Sequence, residues 1–111
     1  MHEHHQVAHL IEHIKEDAAK LGLNKVSSFT VVMGDLLGFD EESCRMYFDS
    51  LGEGTLIDGA KINFVHVPGT LLCRKCNKGF PKVKSNLNCP DCGEQGIPTD
   101  IGKEFKAIDL A

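Results

Sequence analysis

The sequence lacks the features that mark several large classes of protein. It has no Trp, a single Tyr, and no apolar run near the roughly 18 residues that a membrane-spanning helix requires. It also lacks an excess of basic charge, since 12 Lys and Arg stand against 16 Asp and Glu, a formal net charge of −4. A general nucleic-acid-binding protein relies on a basic face to neutralise phosphates. The composition therefore predicts a soluble protein that binds neither nucleic acid nor a membrane.

The parts of two common catalytic machineries are also missing. No Gly-rich loop that could cradle phosphate is present, and Cys44 has no evident base partner, so neither nucleotide hydrolysis nor thiol catalysis is expected. The polar, His-rich amino terminus does not resemble a secretory signal, which predicts a cytoplasmic protein. In that compartment five cysteines indicate metal or redox chemistry more than disulfides.

Apolar spacing along the chain predicts an α+β fold. Residues at helical period predict two helices, and Cys44 lies on the apolar face of the second as a buried, inert thiol. Segments rich in β-branched and apolar residues predict three strands, the last of which returns to the first part of the chain. The predicted helices span about residues 4–21 and 40–52, and the predicted strands span 26–33, 61–67 and 103–110.

Four cysteines form two C-x-x-C pairs in a segment rich in Gly and Pro. Twelve residues separate Cys73-x-x-Cys76 from Cys89-x-x-Cys92, the spacing of a closed four-thiolate zinc site with a structural role. Few apolar residues lie nearby, so metal binding is expected to supply the folding free energy, on the order of 10–16 kcal/mol. Iron, as in a rubredoxin-like electron carrier, is an alternative, although Phe80 is the segment's single aromatic residue. A redox dithiol and a zinc ribbon that binds nucleic acid through nearby Lys and Arg are two others.

The first three residues, Met1-His2-Glu3, offer nitrogen donors for a second kind of metal site. The α-amine and the His2 amide can close one chelate ring around a cation, and the same amide and the His2 Nδ1 can close another. Planar nitrogen sets of this kind suit Ni²⁺ or Cu²⁺, whereas Zn²⁺ has no such geometric preference. Taken alone the motif is weak, because a His at position 2 is commonplace.

The whole chain resembles the HypA/HybF family of nickel metallochaperones for hydrogenase maturation. Four features match in order and separation: Met1-His2-Glu3, the strand closing on Gly34-Asp35-Leu36, the segment from Gly54-Thr55 to Gly59-Ala60 before Val67-Pro68, and the paired C-x-x-C knuckles. The resemblance implies a nickel domain of two helices on a three-stranded sheet, with a zinc-ribbon-like domain inserted before the last strand. We assign residues 1–69 and 100–111 to the nickel domain and 70–99 to the zinc domain.

The resemblance also implies a function and a set of site residues. Nickel, Ni(II), would be the transported cargo, bound at Met1 and His2 with the backbone of Glu3. The Glu3 side chain and Asp40 would support that site, and Zn(II) would be structural. The implied partners are the accessory GTPase of the pathway and the hydrogenase large-subunit precursor, with urease maturation and its accessory proteins served in some organisms. Such a protein binds and delivers a metal and is not an enzyme.

One further pattern concerns the first predicted helix. His5, His9 and His13 fall opposite its apolar stripe, and successive members are four residues apart, a spacing at which two imidazoles can chelate one cation. They form a predicted auxiliary, weaker metal-contact stripe. The alternative is a hydrated polar face that happens to use His.

Overall fold

The computed structural model describes residues 2–83 and 86–111, with His2 described by its backbone alone. The described residues form two α-helices and six short strands, and a 3-10 turn at Asp35–Leu37 follows the first strand. The α+β fold class is confirmed. In chain order the elements are α1 (His2–Lys20), β1 (Ser28–Gly34), α2 (Glu41–Gly52), β2 (Lys61–Val67), β3 (Thr70–Cys73), β4 (Lys78–Pro81), β5 (Ile97–Pro98) and β6 (Phe105–Ile108).

Helix α1 buries one apolar stripe and exposes the opposite face. The buried members are Val7, Leu10, Ile11, Ile14 and Ala18. Apolar spacing over the predicted helix, residues 4–21, also places Leu21 on this stripe, and that placement is wrong, because α1 ends at Lys20 and Leu21 is 62% exposed. Gly22 has a φ of 73°, a left-handed conformation that is typical of the end of a helix. The helix therefore ends one residue before the apolar spacing does.

The predicted three-stranded sheet is present, with strand order β2-β1-β6. Its central strand β1 buries Phe29, Val31 and Met33, which alternate along the strand and therefore share one face. Helix α1 packs against α2 and against β6. The ring of Phe29 meets that of Phe48 from α2 edge to face, with their centroids 5.6 Å apart. The sheet and the two helices therefore share one apolar core.

A second sheet, with order β4-β3-β5, lies in the cysteine-rich segment. Strand β3 pairs antiparallel with both neighbours, with Leu71 opposite Phe80 and Leu72 opposite Ile97. These strands are two to four residues long, and the sequence analysis predicts none of them. A hairpin bridge between Val83 and Asn86 extends the segment beyond β4.

The chain divides into two compact units. One comprises Met1–Val32, Phe39–Val65 and Phe105–Ala111, and the other comprises Met33–Gly38 and His66–Glu104. A compact unit need not fold on its own. The domain boundaries at 69/70 and 99/100 therefore stay a prediction. Within the described part of the chain, no helix is both long enough and apolar enough to cross a bilayer.

Candidate metal centres

The four paired cysteines converge on one point. The Sγ atoms of Cys73, Cys76, Cys89 and Cys92 all lie within 4.8 Å of one another. The Cys73 and Cys92 sulfurs are 3.4 Å apart, and a tetrahedral zinc with Zn–S bonds near 2.3 Å would set this separation at about 3.8 Å. Among residues 2–83 and 86–111, no other group of three or more His, Cys, Asp or Glu side chains brings its ligand atoms this close together. The donor set therefore fits one tetrahedral metal ion.

Each C-x-x-C pair is followed directly by a residue whose backbone has a left-handed conformation. Asn77 follows the first pair with a φ of 53°, and Gly93 follows the second with a φ of 79°. The Cys76 amide donates to the Cys73 sulfur at 3.4 Å, and the Gly93 amide donates to the Cys89 carbonyl at 2.9 Å. The left-handed residue turns the chain back so that both sulfurs of a pair point to the same side.

The local electrostatics already favour a thiolate in this cluster. The backbone amide of Cys76 donates to the Cys73 sulfur and lowers the pKa of that thiol to about 7. A hydrogen bond with the Cys92 thiol, together with burial, raises the pKa of Cys76 to about 12, and the charge of a Cys73 thiolate acts in the same direction. A divalent cation is the charge that would stabilise four thiolates together. An ion pair of Lys78 with Asp91 joins the two knuckles, and Asp91 raises the pKa of Lys78.

A small apolar cluster lies beneath the sulfurs. Leu71 and Phe80 are buried with Cys73 and Cys89, and the partly buried residues packed against them are Leu36, Cys76, Leu87 and Cys92. Gly96 is required beside it, because a Cβ there would lie 2.5 Å from the Phe80 ring and 2.8 Å from the Leu71 Cβ. The core is too small to stabilise the segment without the metal.

The second candidate centre lies where the start of α1 meets the start of α2. The half-buried Glu3 side chain accepts a hydrogen bond from the Asp40 backbone amide at its Oε2, with a length of 3.2 Å. Asp40 is the N-cap of α2, and its Oδ2 accepts from both the amide and the hydroxyl of Ser43 at 3.1 Å. The structure thus brings together Glu3 and Asp40, two of the residues singled out for the nickel site. Met1 and the His2 side chain lie outside the described residues.

Cys44 is a member of this neighbourhood that the sequence analysis treats only as a core residue. It is fully buried, and its thiol contacts Glu3 Oε2 at 3.9 Å. Burial, together with the charges of Glu3 and Asp40, raises the pKa of Cys44 to about 11. The signal in the sequence is its position one helical turn after the Asp40 cap, which places the thiol on the end of α2 that faces Glu3.

The histidines of α1 are distributed unevenly. His9 and His13 lie together, with their Nε2 atoms 3.2 Å apart, while the His5 ring lies against His4 at a centroid distance of 5.7 Å. The His4 ring also meets Tyr47 of α2 edge to face at 5.4 Å. The structure therefore brings together two members of the predicted stripe and directs the third elsewhere.

Comparison with known proteins agrees with this geometry. The family model described as "Hydrogenase/urease nickel incorporation, metallochaperone, hypA" matches residues 1–111. The hydrogenase maturation factor HypA of Caldanaerobacter subterraneus subsp. tengcongensis is 39% identical over 106 residues, which cover 95% of this chain and 93% of the relative. The HypA of Geotalea daltonii is 35% identical over 110 residues, covering 99% and 97%.

Two solved structures share the fold. The solution structure of the Ni metallochaperone HypA from Helicobacter pylori superposes with a TM-score of 0.71 at 24% identity, covering 97% of this chain and 94% of that one. A second solution structure, of a HypA protein, superposes with a TM-score of 0.67 at 26% identity, covering 99% and 94%. Together with the full-length family match, these similarities show that the chain belongs to the HypA family of hydrogenase/urease nickel-incorporation metallochaperones.

Proposed function

We propose that this protein carries Ni²⁺ as cargo at its amino terminus and delivers it for the maturation of [NiFe]-hydrogenase. The donors are the Met1 amine, the amide and imidazole of His2, and the backbone amide of Glu3. The observation that carries the proposal is the hydrogen bond from the Asp40 amide to the Glu3 carboxylate, because it anchors the chain one residue away from the His2 donors.

The position of these donors in α1 supports the proposal. The helix begins at His2, and the amides of a first helical turn have no acceptor within the helix. The His2 and Glu3 nitrogens are therefore not committed to the helical ladder and can lose a proton to a metal ion. Amide nitrogens deeper in the helix cannot do so without breaking a hydrogen bond.

The surrounding charge also suits a cation. The positive ends of two helix dipoles meet here and by themselves would repel a metal ion. The carboxylates of Glu3, Asp40 and Glu41 counter them, and their negative potential contributes to the raised pKa of the nearby Cys44 thiol. The same potential attracts a divalent cation to the amino terminus.

Release of the cargo follows from the chemistry of the donors. The amine, imidazole and amide nitrogens bind metal only when deprotonated, so protons compete with nickel at each of them. Nickel affinity falls as the pH falls, and a partner that supplies competing ligands can remove the ion without unfolding the carrier. We propose the accessory GTPase of the pathway and the hydrogenase large-subunit precursor as these partners, with urease accessory proteins in some organisms.

The four-cysteine centre has a different part in this proposal. It holds Zn²⁺ through Cys73, Cys76, Cys89 and Cys92, and the zinc cross-links the two knuckles with no open position for a substrate. The protein is thus a carrier with a structural zinc and not an enzyme. Its five cysteines are free thiols, with no disulfide between them. This is the state expected in the reducing cytoplasm, where we place the delivery step.

Delivery can be tested in a bacterium that makes [NiFe]-hydrogenase and whose own member of this family has been deleted. Expression of this chain should restore hydrogenase activity, and His2→Ala should not. His5→Gln is the matched control, since it removes an exposed imidazole from the same helix while leaving Met1-His2-Glu3 intact, and it should restore activity fully. Restoration by His2→Ala to the level of the unmodified chain would contradict the proposal.

A further inference from the structure

We propose that His9 and His13 form a two-imidazole binding site for a divalent first-row transition-metal ion on the exposed face of α1. The site is separate from the amino terminus and does not depend on the nickel site proposed there. It uses a pair of side chains that neither the four-cysteine centre nor the Met1-His2-Glu3 segment includes.

The distance between the two imidazoles fits chelation. Their Nε2 atoms are 3.2 Å apart, and their rings lie edge to face with centroids 4.7 Å apart. With metal–nitrogen bonds of about 2.0–2.1 Å, two cis ligands are separated by about 2.9 Å in square-planar or octahedral geometry and about 3.4 Å in tetrahedral geometry. The observed separation falls between these values, so a metal ion can bridge both nitrogens with little movement of either ring.

A carboxylate near His13 favours its ligating tautomer. A Glu16 carboxylate oxygen lies 4.0 Å from Nδ1 of His13, on the opposite side of the ring from His9. A carboxylate there favours the proton on Nδ1, which leaves the Nε2 lone pair directed at His9. The His9 Nε2–H then donates to the His13 Nε2. When a metal ion binds, the His9 proton moves to its Nδ1, so that both neutral rings present an Nε2 lone pair to the ion.

The surroundings leave the pair open to solvent and nearly balanced in charge. The His13 side chain is 55% exposed, and His9 is exposed as well. A cleft of about 240 Å³ beside His13 is lined on α1 by Asp17 and on β6 by Lys106. The charged groups beside His13 include Glu16 and Asp17 from α1 and Lys106 from β6, and Glu12 of α1 forms an ion pair with Lys15. Water can complete the coordination sphere from the exposed side.

The chemistry of the donors selects the class of cation. Neutral imidazole suits Ni²⁺, Cu²⁺ and Zn²⁺ and is a poor ligand for Mg²⁺ and Ca²⁺. Two imidazoles with water also form a weaker site than a chelating amino terminus, so the ion bound here exchanges more readily. His5 is not a member, because its ring packs against His4.

Titration of the zinc-loaded full-length protein with Ni²⁺, followed by NMR of each histidine ring, tests the site directly. The ring signals of His9 and His13 should change together as Ni²⁺ is added, and His5 should not change with them. A nickel ion with two imidazoles and water is expected to be paramagnetic and to broaden these signals, whereas planar nickel at the amino terminus is diamagnetic. The two sites therefore succeed or fail separately.

Variants separate a chelate from two independent contacts. His9→Gln and His13→Gln should each weaken this binding at least about tenfold, and the double variant should lose no more than either single one. His5→Gln is the matched control and should leave the affinity unchanged. The proposal would be overturned if the His9 and His13 rings stayed unaltered in excess Ni²⁺, or if His5→Gln lost as much affinity as either single variant. It would also be overturned if the free-energy loss in the double variant equalled the sum of the two single losses.

Discussion

At the scale of single residues, the Glu3 carboxylate connects the two helices. One of its oxygens accepts from the Asp40 amide and also contacts the buried Cys44 thiol, which ties the first turn of α1 to the first two turns of α2. Because the same carboxylate lies one residue after the proposed nickel ligand His2, the folding of the helical unit and the position of the metal donors depend on a shared contact.

The Cys44 thiol should leave a signature in the pH dependence of stability. Its pKa is about 11 in the folded chain against about 9 when unfolded, so its contribution is fully present below pH 9 and is lost as the pH rises to 11. Over that interval the free energy of unfolding should fall by about 2 kcal/mol more in the unmodified protein than in Cys44→Ala. Urea unfolding at pH 8, 10 and 11 measures this difference, and parallel pH profiles would show that the thiol is not perturbed.

At the scale of elements, α2 is positioned by its cap. Asp40 accepts two hydrogen bonds from Ser43 through its side chain, while its own amide binds Glu3. The side chain thus starts the helix, and the backbone attaches that start to α1.

Removing the cap should cost stability in a way that a conservative substitution does not. Asp40→Ala loses the side-chain acceptor and should lower the free energy of unfolding by about 1 kcal/mol, whereas Asp40→Asn retains an acceptor oxygen and should lose much less. Urea unfolding of both variants checks this. Equal stability of the Ala and Asn variants would show that the cap contributes nothing.

The packing beneath the knuckles gives a second test at this scale. Gly96→Ala forces a methyl group against the Phe80 ring and should destabilise the β3-β4-β5 segment by about 1–3 kcal/mol. Gly79→Ala is the matched control, because the nearest neighbour of its new methyl group would be the Thr70 Cγ2 at 3.4 Å. Tryptophan is absent, so unfolding is best followed by NMR of this segment; similar losses in the two variants would contradict the packing argument.

The elements that could be predicted from the sequence are those encoded locally. The two helices follow from apolar spacing within each helix, and the paired knuckles follow from C-x-x-C. Strands β3, β4 and β5 could not be predicted, because they are too short for a period and depend on pairing across the metal site. The contact of Glu3 with the Asp40 amide joins residues 37 positions apart, so no local pattern predicts it. Only the family resemblance indicates that Asp40 lies near the nickel site.

At the scale of the whole molecule, the two compact units are expected to be stabilised in different ways. One, with α1 and α2, has an apolar core of ordinary composition, and the other has Leu71 and Phe80 beneath four sulfurs. The first is expected to fold by burial of apolar surface, and the second by metal binding.

Removing one zinc ligand should therefore unfold one unit and spare the other. Cys76→Ser should lose the bound zinc and, with it, folding free energy on the order of 10 kcal/mol, while the helical signal from α1 and α2 persists. Elemental analysis and circular dichroism measure the two effects, and Cys44→Ser is the control that should keep its zinc. Iron in place of zinc, or a native β3-β4-β5 sheet without metal, would refute this assignment.

Nickel binding at the amino terminus is tested by a calorimetric Ni²⁺ titration of the zinc-loaded protein, with and without the three residues Gly-Ser-Gly added before Met1. The extension places the α-amine four residues before His2, too far to close the first chelate ring, so the tight binding event should disappear; a single added residue would not serve, because Gly-Met-His can itself form a planar nitrogen set. Zinc content, helical signal and the weaker binding at His9 and His13 should remain. An unchanged tight nickel affinity in the extended protein would contradict nickel binding at the amino terminus.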